Sequence, residues 1–164
     1  MWSDVAQRTP EWHKLRAGLV GGSEARHINA RRKGTAGETA GRRDLRVKLA
    51  VETLTATPIE QSQYLNEDIS RGITLEDRAL REFALSSGQL LSKGGHYKSE
   101  TRKAGVSPDG RILSGDRISL VEMKCPRAAN HLAAFALRRA SGLAAIPASH
   151  RAQLIHGLLI AQEA

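Results

Sequence analysis

The chain has 164 residues, enough for one domain with a hydrophobic core and too few for two domains of ordinary size. Lysine and arginine number 25, aspartate and glutamate 17, and the formal net charge is +8. Hydrophobic residues make up 40% and charged residues 26%, an ordinary globular balance that argues against a disordered chain. The positive excess favours a polyanionic partner such as nucleic acid.

Three further features narrow the class of protein. The apolar runs are far shorter than the roughly 20 residues of a membrane span. The N-terminus lacks the basic and apolar regions of a signal peptide, so we expect a soluble, cytoplasmic protein with no membrane partner. The single cysteine, Cys125, excludes an internal disulfide framework, a four-cysteine zinc site and a cysteine-ligated iron–sulfur cluster.

The N-terminal part of the chain predicts short helices separated by glycines. Thr9 and Pro10 are typical of a helix start, and Gly18 is typical of the residue that follows a helix end. Ser23 is the expected N-cap of a second short helix that ends near Ala30.

Two longer helices follow in the prediction. The first covers residues 42–55 and ends before Pro58, with an apolar stripe formed by Leu45, Leu49 and Leu54. Residues 66–73 look irregular, and Thr74 is the expected cap of a helix that Gly88 terminates. The buried face of this helix is expected to contain Leu80, Phe83 and Ala84.

The C-terminal half predicts strands and then helices. Residues 111–113 and 118–123 are expected to pair as a hairpin through a turn at residues 114–116, and helices are expected over 128–139 and 149–162. The order of elements predicts an α+β (mixed α/β) fold in one domain, with a small central mixed sheet flanked by helices.

The most informative residues surround this hairpin. Glu122 and Lys124 are two residues apart and share a face if they lie on a strand, and Asp109 comes near the same end of the hairpin. Neighbouring carboxylates repel each other, and hard oxygen ligands suit Mg²⁺ or Mn²⁺. A lysine beside such an ion can orient or activate water and offset charge on a phosphate. The alternative is an ordinary charge pair on a solvated strand.

Glu76 supplies a third candidate carboxylate. It lies four residues before Leu80 and seven before Phe83, on the inward side of its helix. The alternative is an acidic residue in the first turn that interacts with the helix dipole.

These residues resemble those of a known family. Asp109, Glu122 and Lys124 match the PD-(D/E)xK nuclease signature, Pro108 included. The chain more specifically resembles the phage λ exonuclease / YqaJ-type viral recombinase family over roughly residues 7–161. The blocks that carry the resemblance follow the family's order and lie at residues 9–12 with 15–18, 71–72 with 75–76, 105–110, 120–126 and 152–154.

The resemblance implies a restriction-endonuclease-like core and a Mg²⁺-dependent exonuclease. Such an enzyme degrades the 5′-ended strand of duplex DNA and leaves a 3′ overhang for phage-type recombination. It implies metal ligands at Glu76, Asp109 and Glu122, with the Met123 carbonyl as a further ligand, and a water-orienting or water-activating role for Lys124.

The resemblance also implies residues that bind the substrate. Arg16 and Ser23 match positions that hold the terminal 5′-phosphate, and Gln153 matches a position close to the metal site. Independently of the family, a helix N-terminus at Ser23 would favour an anion, and Arg16 can bind phosphate in a bidentate manner. The alternatives are an N-cap for Ser23, a solvated charge for Arg16 and a surface amide for Gln153.

The sequence departs from the family at its C-terminus. Members continue into a further strand and helix that contribute to ring assembly, whereas this chain stops at Ala164, so we expect a single nuclease domain that is short there. The expected partners are double-stranded DNA ends, a single-strand annealing protein and further copies in a ring, if the short end permits. Two alternative functions are a weakly active or inactive DNA-binding remnant and a PD-(D/E)xK endonuclease.

The remaining features are weaker. The six histidines have no paired metal-ligand spacing and are interpreted as surface or packing residues. Trp12 is expected in the core, and Cys125 is expected to be a buried small hydrophobe. The basic residues at 31–33 and 42–43 are expected to contact the DNA backbone, and the alternative is a solvated loop.

Overall fold

The computed structural model describes residues 1–28, 30–34, 37–59, 67–136 and 146–162. The chain forms two compact units, each described by itself. The first unit comprises Met1–Gln61, Gly95–Ser107 and Ala152–Ala164, and the second comprises Ser62–Gly94 and Pro108–Arg151. In the described ranges, no helix has the length and apolar character needed to cross a membrane.

In the described residues, one short strand is followed by a run of helices, then by a run of short strands, and then by helices again. In chain order they are β1 (Trp2–Ser3), α1 (Pro10–Arg16), a 3₁₀ turn (Gly22–Glu24), α2 (Ala25–Ile28), α3 (Ala40–Thr55), α4 (Glu67–Ser87), β2 (Leu91–Lys93), β3 (His96–Lys98), β4 (Gly105–Val106), β5 (Gly110–Ser114), β6 (Arg117–Val121), α5 (Ala128–Ala136) and α6 (Ala148–Ala161).

The α+β class is confirmed, and in the described part of the chain the strands form two antiparallel sheets of three strands each in place of one mixed sheet. The first unit holds the order β1-β3-β4 and the second the order β2-β5-β6. The chain passes from β2 to β3 through Gly94 and Gly95. Gly95 has φ +68°, a conformation that costs other residues free energy.

In the first unit, α1 begins as predicted. The Thr9 hydroxyl accepts a hydrogen bond from the backbone N–H of Trp12 at 3.2 Å, and Pro10 occupies the first turn. The Trp12 side chain is buried, which confirms its place in the core. The prediction that Ser23 is an N-cap is wrong: Ser23 lies inside the 3₁₀ turn, and Gly21 precedes that turn. The Glu24 carboxylate accepts the Gly21 N–H instead, at 2.9 Å.

Helix α3 confirms the predicted long helix, but its buried stripe differs. Leu45 is buried, whereas Leu54 is 86% exposed and Glu52 is only 3% exposed. Glu52 is seven residues after Leu45 and therefore on the same helical face, whereas Leu54 is nine residues after it and lies elsewhere. The prediction that Leu54 belongs to the buried stripe is therefore wrong, and the carboxylate of Glu52 lies on the buried face.

In the second unit, α4 begins earlier than predicted. Residues 67–73 are helical, with Glu67 and Asp68 in the first turn, where acidic side chains complement the helix dipole. Thr74 is not a cap: its hydroxyl donates to the Ser70 carbonyl at 3.0 Å, as is typical of a threonine within a helix. The predicted end at Gly88 is confirmed, with φ +67°.

The predicted hairpin is confirmed as β5 and β6. Ser114 pairs with Arg117 across a two-residue turn, in which Gly115 has φ +59°. Strand β6 ends at Val121, so Glu122 and Met123 lie directly after the strand and not within it. The closing helices are α5 and α6, and the predicted continuation of α5 beyond Ala136 lies outside the described residues.

Candidate functional site

Two close backbone approaches fix the position of Asp109 at the start of β5. A Cβ atom on Gly94 would lie 1.4 Å from the carbonyl oxygen of the fully buried Pro108, so only glycine permits this contact. On the other side, a Cβ on Gly110 would lie 3.2 Å from Leu80 of α4. Leu80 is four residues after Glu76 and shares its helical face, so this packing brings that face of α4 to the beginning of β5.

The backbone after β6 meets the Asp109 carboxylate directly. Asp109 Oδ2 accepts a hydrogen bond from the Met123 backbone N–H at 2.6 Å. The Lys124 ammonium donates to Glu122 Oε1 in an ion pair. The expected neighbourhood of Glu122 and Lys124 is therefore present, although it arises from this ion pair and not from alternation along a strand.

The electrostatics around Asp109 are those of crowded carboxylates. Burial, followed by the nearby Glu122, raises the pKa of Asp109 to about 7; the Met123 N–H opposes this rise, Glu76 adds to it and Lys124 opposes it. Glu76, Asp109, Glu122 and Lys124 are called the carboxylate site below. A cation placed among these acids would relieve their repulsion.

The donor chemistry of the carboxylate site fits a hard divalent cation such as Mg²⁺, because its acids offer oxygen atoms and repel each other. Within the described ranges, no group of three or more His, Cys, Asp or Glu side chains is arranged to hold a metal ion. The carboxylate site therefore has the chemistry of a metal site without three side chains already gathered around one point.

Two arginines connect α4 to the segment after β6, and neither is predicted as a site residue from the sequence. Arg71 Nη2 donates to the Cys125 carbonyl oxygen at 2.5 Å, and Arg127 forms an ion pair with Asp68. Arg71 lies in a block of the resemblance, but nothing in the sequence indicates its contact with a backbone carbonyl. Cys125 is only partly buried, so the expectation of a buried small hydrophobe is wrong.

One histidine also lies near the carboxylate site. Burial lowers the pKa of His150, in the first turn of α6; Lys124 lowers it further and Glu122 raises it. His96 and His156 are buried, in agreement with their interpretation as packing residues. The absence of paired ligand spacing in the sequence gives no indication that His150 differs from them.

The other predicted site residues lie in the first unit. The Arg16 guanidinium lies over the Trp12 ring, 4.1 Å from its centroid. A Cβ on Gly21 would lie 2.5 Å from Arg16 Nη2, and a Cβ on Gly22 would lie 3.2 Å from Gln153 Cγ. Arg16 thus lies beside Gly21 and Gln153 beside Gly22, and these two glycines directly precede the exposed Ser23.

A buried charge network holds this glycine segment. Glu52 Oε2 accepts the Gly18 N–H at 2.9 Å, and Glu52 Oε1 accepts the Ile59 N–H at 3.0 Å. Lys48 Nζ lies 2.6 Å from Glu24 Oε1 and 3.9 Å from Glu52 Oε1. Glu24, Lys48 and Glu52 are called the α3 clamp below. The sequence signal for it was the opposite-charge pair Lys48 and Glu52 at i, i+4, with Glu52 on the buried face.

The clamp also sets the charge environment of Arg16. Burial lowers the pKa of Arg16, and Glu24 and Glu52 act in the opposite direction. The two carboxylates therefore favour the charged form of a guanidinium that would otherwise be costly to bury.

The comparison with protein families decides the class. Residues 11–164 match the model of the YqaJ-like viral recombinase domain. The chain belongs to this family. The predicted resemblance and the prediction of a nuclease are thereby confirmed, and as a nuclease of this family the protein acts on DNA.

Solved structures agree with the fold. The structure of LHK-Exo in complex with dAMP has a TM-score of 0.70 and 24% identity, over 94% of this chain and 70% of that one. An alkaline exonuclease (LHK-Exo) from Laribacter hongkongensis has a TM-score of 0.65 and 25% identity, over 88% of this chain and 64% of that one. No curated protein is significantly similar to the chain.

Proposed function

We propose that the protein is an exonuclease that degrades the 5′-ended strand at double-stranded DNA ends. It requires Mg²⁺, which Mn²⁺ can replace, and it leaves 3′ overhangs for phage-type recombination. The observation that carries the proposal is the carboxylate site: a half-buried Asp109 crowded by Glu122 and Glu76, with Lys124 beside them. A protein has little structural reason to crowd acids in this way, whereas phosphodiester hydrolysis needs such a set.

Glu76, Asp109, Glu122 and the Met123 carbonyl would hold the divalent cation. When bound, the cation stabilises negative charge on the scissile phosphate and lowers the pKa of water. The Met123 N–H fixes one oxygen of Asp109, so the other oxygen remains for binding. Glu76 and Glu122 add negative charge, which strengthens the attraction of the site for a divalent ion.

Lys124 orients or activates the attacking water. Its ion pair with Glu122 keeps the ammonium beside the acids that bind the cation. An ammonium in this place also offsets the charge that builds up on the phosphate in the transition state. We propose Gln153 as a further residue of the reaction centre, as the family resemblance implies.

Arg16 and Ser23 bind the terminal 5′-phosphate. The Arg16 guanidinium is held against the Trp12 ring and beside Gly21, and a planar guanidinium suits bidentate contacts with phosphate. The related LHK-Exo structure is a complex with dAMP, a deoxynucleoside monophosphate of the kind that exonucleolytic hydrolysis releases. The exposed basic residues 31–33 contact the DNA backbone. The partners are a single-strand annealing protein and further copies of the chain in a ring.

The test uses purified protein, Mg²⁺ and linear duplexes that carry a 5′-phosphate or a 5′-hydroxyl. Release of acid-soluble nucleotide from a 5′ label before a 3′ label, with loss of activity in EDTA, is the expected result. No release by folded protein would contradict the nuclease proposal and leave a DNA-binding remnant. Cutting of closed circular DNA would identify an endonuclease.

A further inference from the structure

Two carboxylates hold the backbone between Arg16 and Ser23, one from α3 and one from the 3₁₀ turn. At one end of this segment Glu52 accepts the Gly18 N–H at 2.9 Å. At the other end Glu24 accepts the Gly21 N–H, also at 2.9 Å. Because Glu52 is 3% exposed, its hydrogen bonds are shielded from water and are costly to remove. Both ends of a short, glycine-rich segment are therefore fixed by charged acceptors.

Lys48 makes the two attachments one unit. Its ammonium contacts Glu24 at 2.6 Å and lies 3.9 Å from Glu52, and its side chain is 20% exposed. Glu52 also accepts the Ile59 N–H, so its second oxygen is held as well. The clamp thus joins the residue before the 3₁₀ turn, helix α3 and the segment that follows α3.

This arrangement leaves Arg16 little freedom. Its guanidinium is confined between the Trp12 ring, at 4.1 Å, and the glycine backbone, where a Cβ on Gly21 would lie 2.5 Å from Nη2. Movement of the Gly18–Gly21 backbone would therefore move the surroundings of the guanidinium directly. Bidentate recognition of phosphate requires a fixed orientation of this group.

We propose that Glu24, Lys48 and Glu52 are positioning residues for recognition of a 5′-phosphate at a DNA end. The inference rests on the proposed function, because it takes Arg16 and Ser23 as the phosphate-binding residues. The clamp itself does not touch the phosphate. It sets the preference for a 5′-phosphate over a 5′-hydroxyl by holding Arg16 and the backbone that leads to Ser23.

The test compares kcat/KM on otherwise identical duplexes with a 5′-phosphate or a 5′-hydroxyl, for the wild type, Glu52→Gln and Lys48→Met. An amide has one acceptor oxygen where the Glu52 carboxylate has two, so one of its two N–H partners loses its acceptor. We expect the phosphate preference to fall about tenfold in Glu52→Gln, while the rate on 5′-hydroxyl ends changes less than about twofold. Binding of the two duplexes without metal, followed by fluorescence anisotropy, should lose the same preference.

Asp44→Asn is the matched control, because it makes the same chemical change at an exposed position of α3 and should leave the preference unchanged. An equal loss on both ends, or an unchanged preference in a folded Glu52→Gln variant, would overturn the proposal. If Glu52→Gln does not fold, Lys48→Met decides by the same two criteria. A wild type that degrades both ends equally overturns the inference but leaves a nuclease, whereas a wild type that degrades neither contradicts the proposed function.

Discussion

The carboxylate site and the α3 clamp both contain acidic side chains withdrawn from solvent, yet their surroundings are opposite. Glu52 accepts hydrogen bonds from the backbone N–H groups of Gly18 and Ile59, and the Lys48 ammonium lies close to it. Asp109 accepts a hydrogen bond from the Met123 N–H group, but burial and the carboxylates of Glu122 and Glu76 disfavour its charged form. The clamp is satisfied within the protein, whereas the carboxylate site carries negative charge that the protein leaves only partly compensated.

This difference separates a structural role from a chemical one. A buried carboxylate that accepts strong hydrogen bonds stabilises the fold, and its removal leaves donors without partners. Carboxylates that repel each other destabilise the fold and persist where their charge serves binding or catalysis. Equal substitutions in the two regions should therefore have opposite effects on stability.

Lys124→Ala should have the largest effect on activity. In the proposed function the ammonium orients water and offsets charge on the phosphate, so we expect its loss to lower hydrolysis by about a thousandfold or more. Binding of DNA ends should change little, because the proposed phosphate-binding residues, Arg16 and Ser23, belong to the other unit. The measurement pairs nucleotide release with anisotropy binding. Equal losses in both would show that Lys124 acts by general electrostatics or by supporting the structure.

Glu52→Gln should have the largest effect on stability. The change leaves a buried N–H without an acceptor and removes the negative charge near Lys48, so we expect unfolding free energy to fall by about 3 kcal/mol. Urea unfolding of wild type and variant measures the difference. Asp44→Asn, an exposed change on the same helix, should cost less than about 0.5 kcal/mol. A similar cost for both would show that Glu52 is not specially buried.

The sequence predicted the carboxylate site better than the clamp, for a physical reason. Asp109, Glu122 and Lys124 are close in sequence, and a hairpin with a clear turn signal brings them together. The clamp joins Glu24 to residues 48 and 52 of α3 by tertiary packing, which no local pattern encodes. The stripe on α3 was misread because Leu54 was assumed to face the core as an apolar residue, whereas the helical face of Leu45 continues through the partnered Glu52.

The boundaries of the elements near the site failed for similar reasons. Thr74 has the chemistry of a cap, but the acidic residues Glu67 and Asp68 start α4 earlier. Ser23 also has that chemistry, but Gly21 takes the cap position of the 3₁₀ turn, and Glu24 accepts the backbone N–H of Gly21. In both places several residues compete for one role, and local propensity does not decide between them.

Asp109→Asn should stabilise the protein at alkaline pH in EDTA, the reverse of Glu52→Gln. The folded-state pKa of about 7 lies above the ordinary value of 3.8, so the folded state favours the neutral carboxyl. The stability that this group contributes is complete below its unfolded pKa and is lost as pH rises through about 7. The difference between about 7 and 3.8 corresponds to at most about 4 kcal/mol, at about 1.4 kcal/mol per pKa unit. Because Asp109 is only partly buried and solvent screens its charge, we expect the variant to gain about 2 kcal/mol at pH 8.

The pH dependence supplies the control for this prediction. The advantage of Asp109→Asn should shrink as pH falls from 8 towards 4, because the wild-type carboxyl then becomes neutral in the folded protein. Urea unfolding across this range measures the trend. An advantage that is independent of pH would show that packing, and not charge repulsion, distinguishes the two side chains. A loss of stability at pH 8 would remove the contrast with the α3 clamp.

Arg71→Met should have a smaller effect on the rate. The Arg71 guanidinium holds the Cys125 carbonyl at 2.5 Å, directly after Lys124. Without this hydrogen bond the segment that carries Lys124 is held less firmly in its position. We therefore expect kcat to fall about tenfold, with KM for DNA ends nearly unchanged.

Arg127→Met is the matched control, because its ion pair also joins this segment to α4 but is largely exposed. An exposed pair contributes little, so kcat should change less than about twofold. Arg71→Lys keeps one donor and should recover part of the loss. Equal effects of Arg71→Met and Arg127→Met would show that any connection to α4 suffices. In that case the carboxylate site would depend on the overall packing of its unit and not on the partly buried hydrogen bond from Arg71.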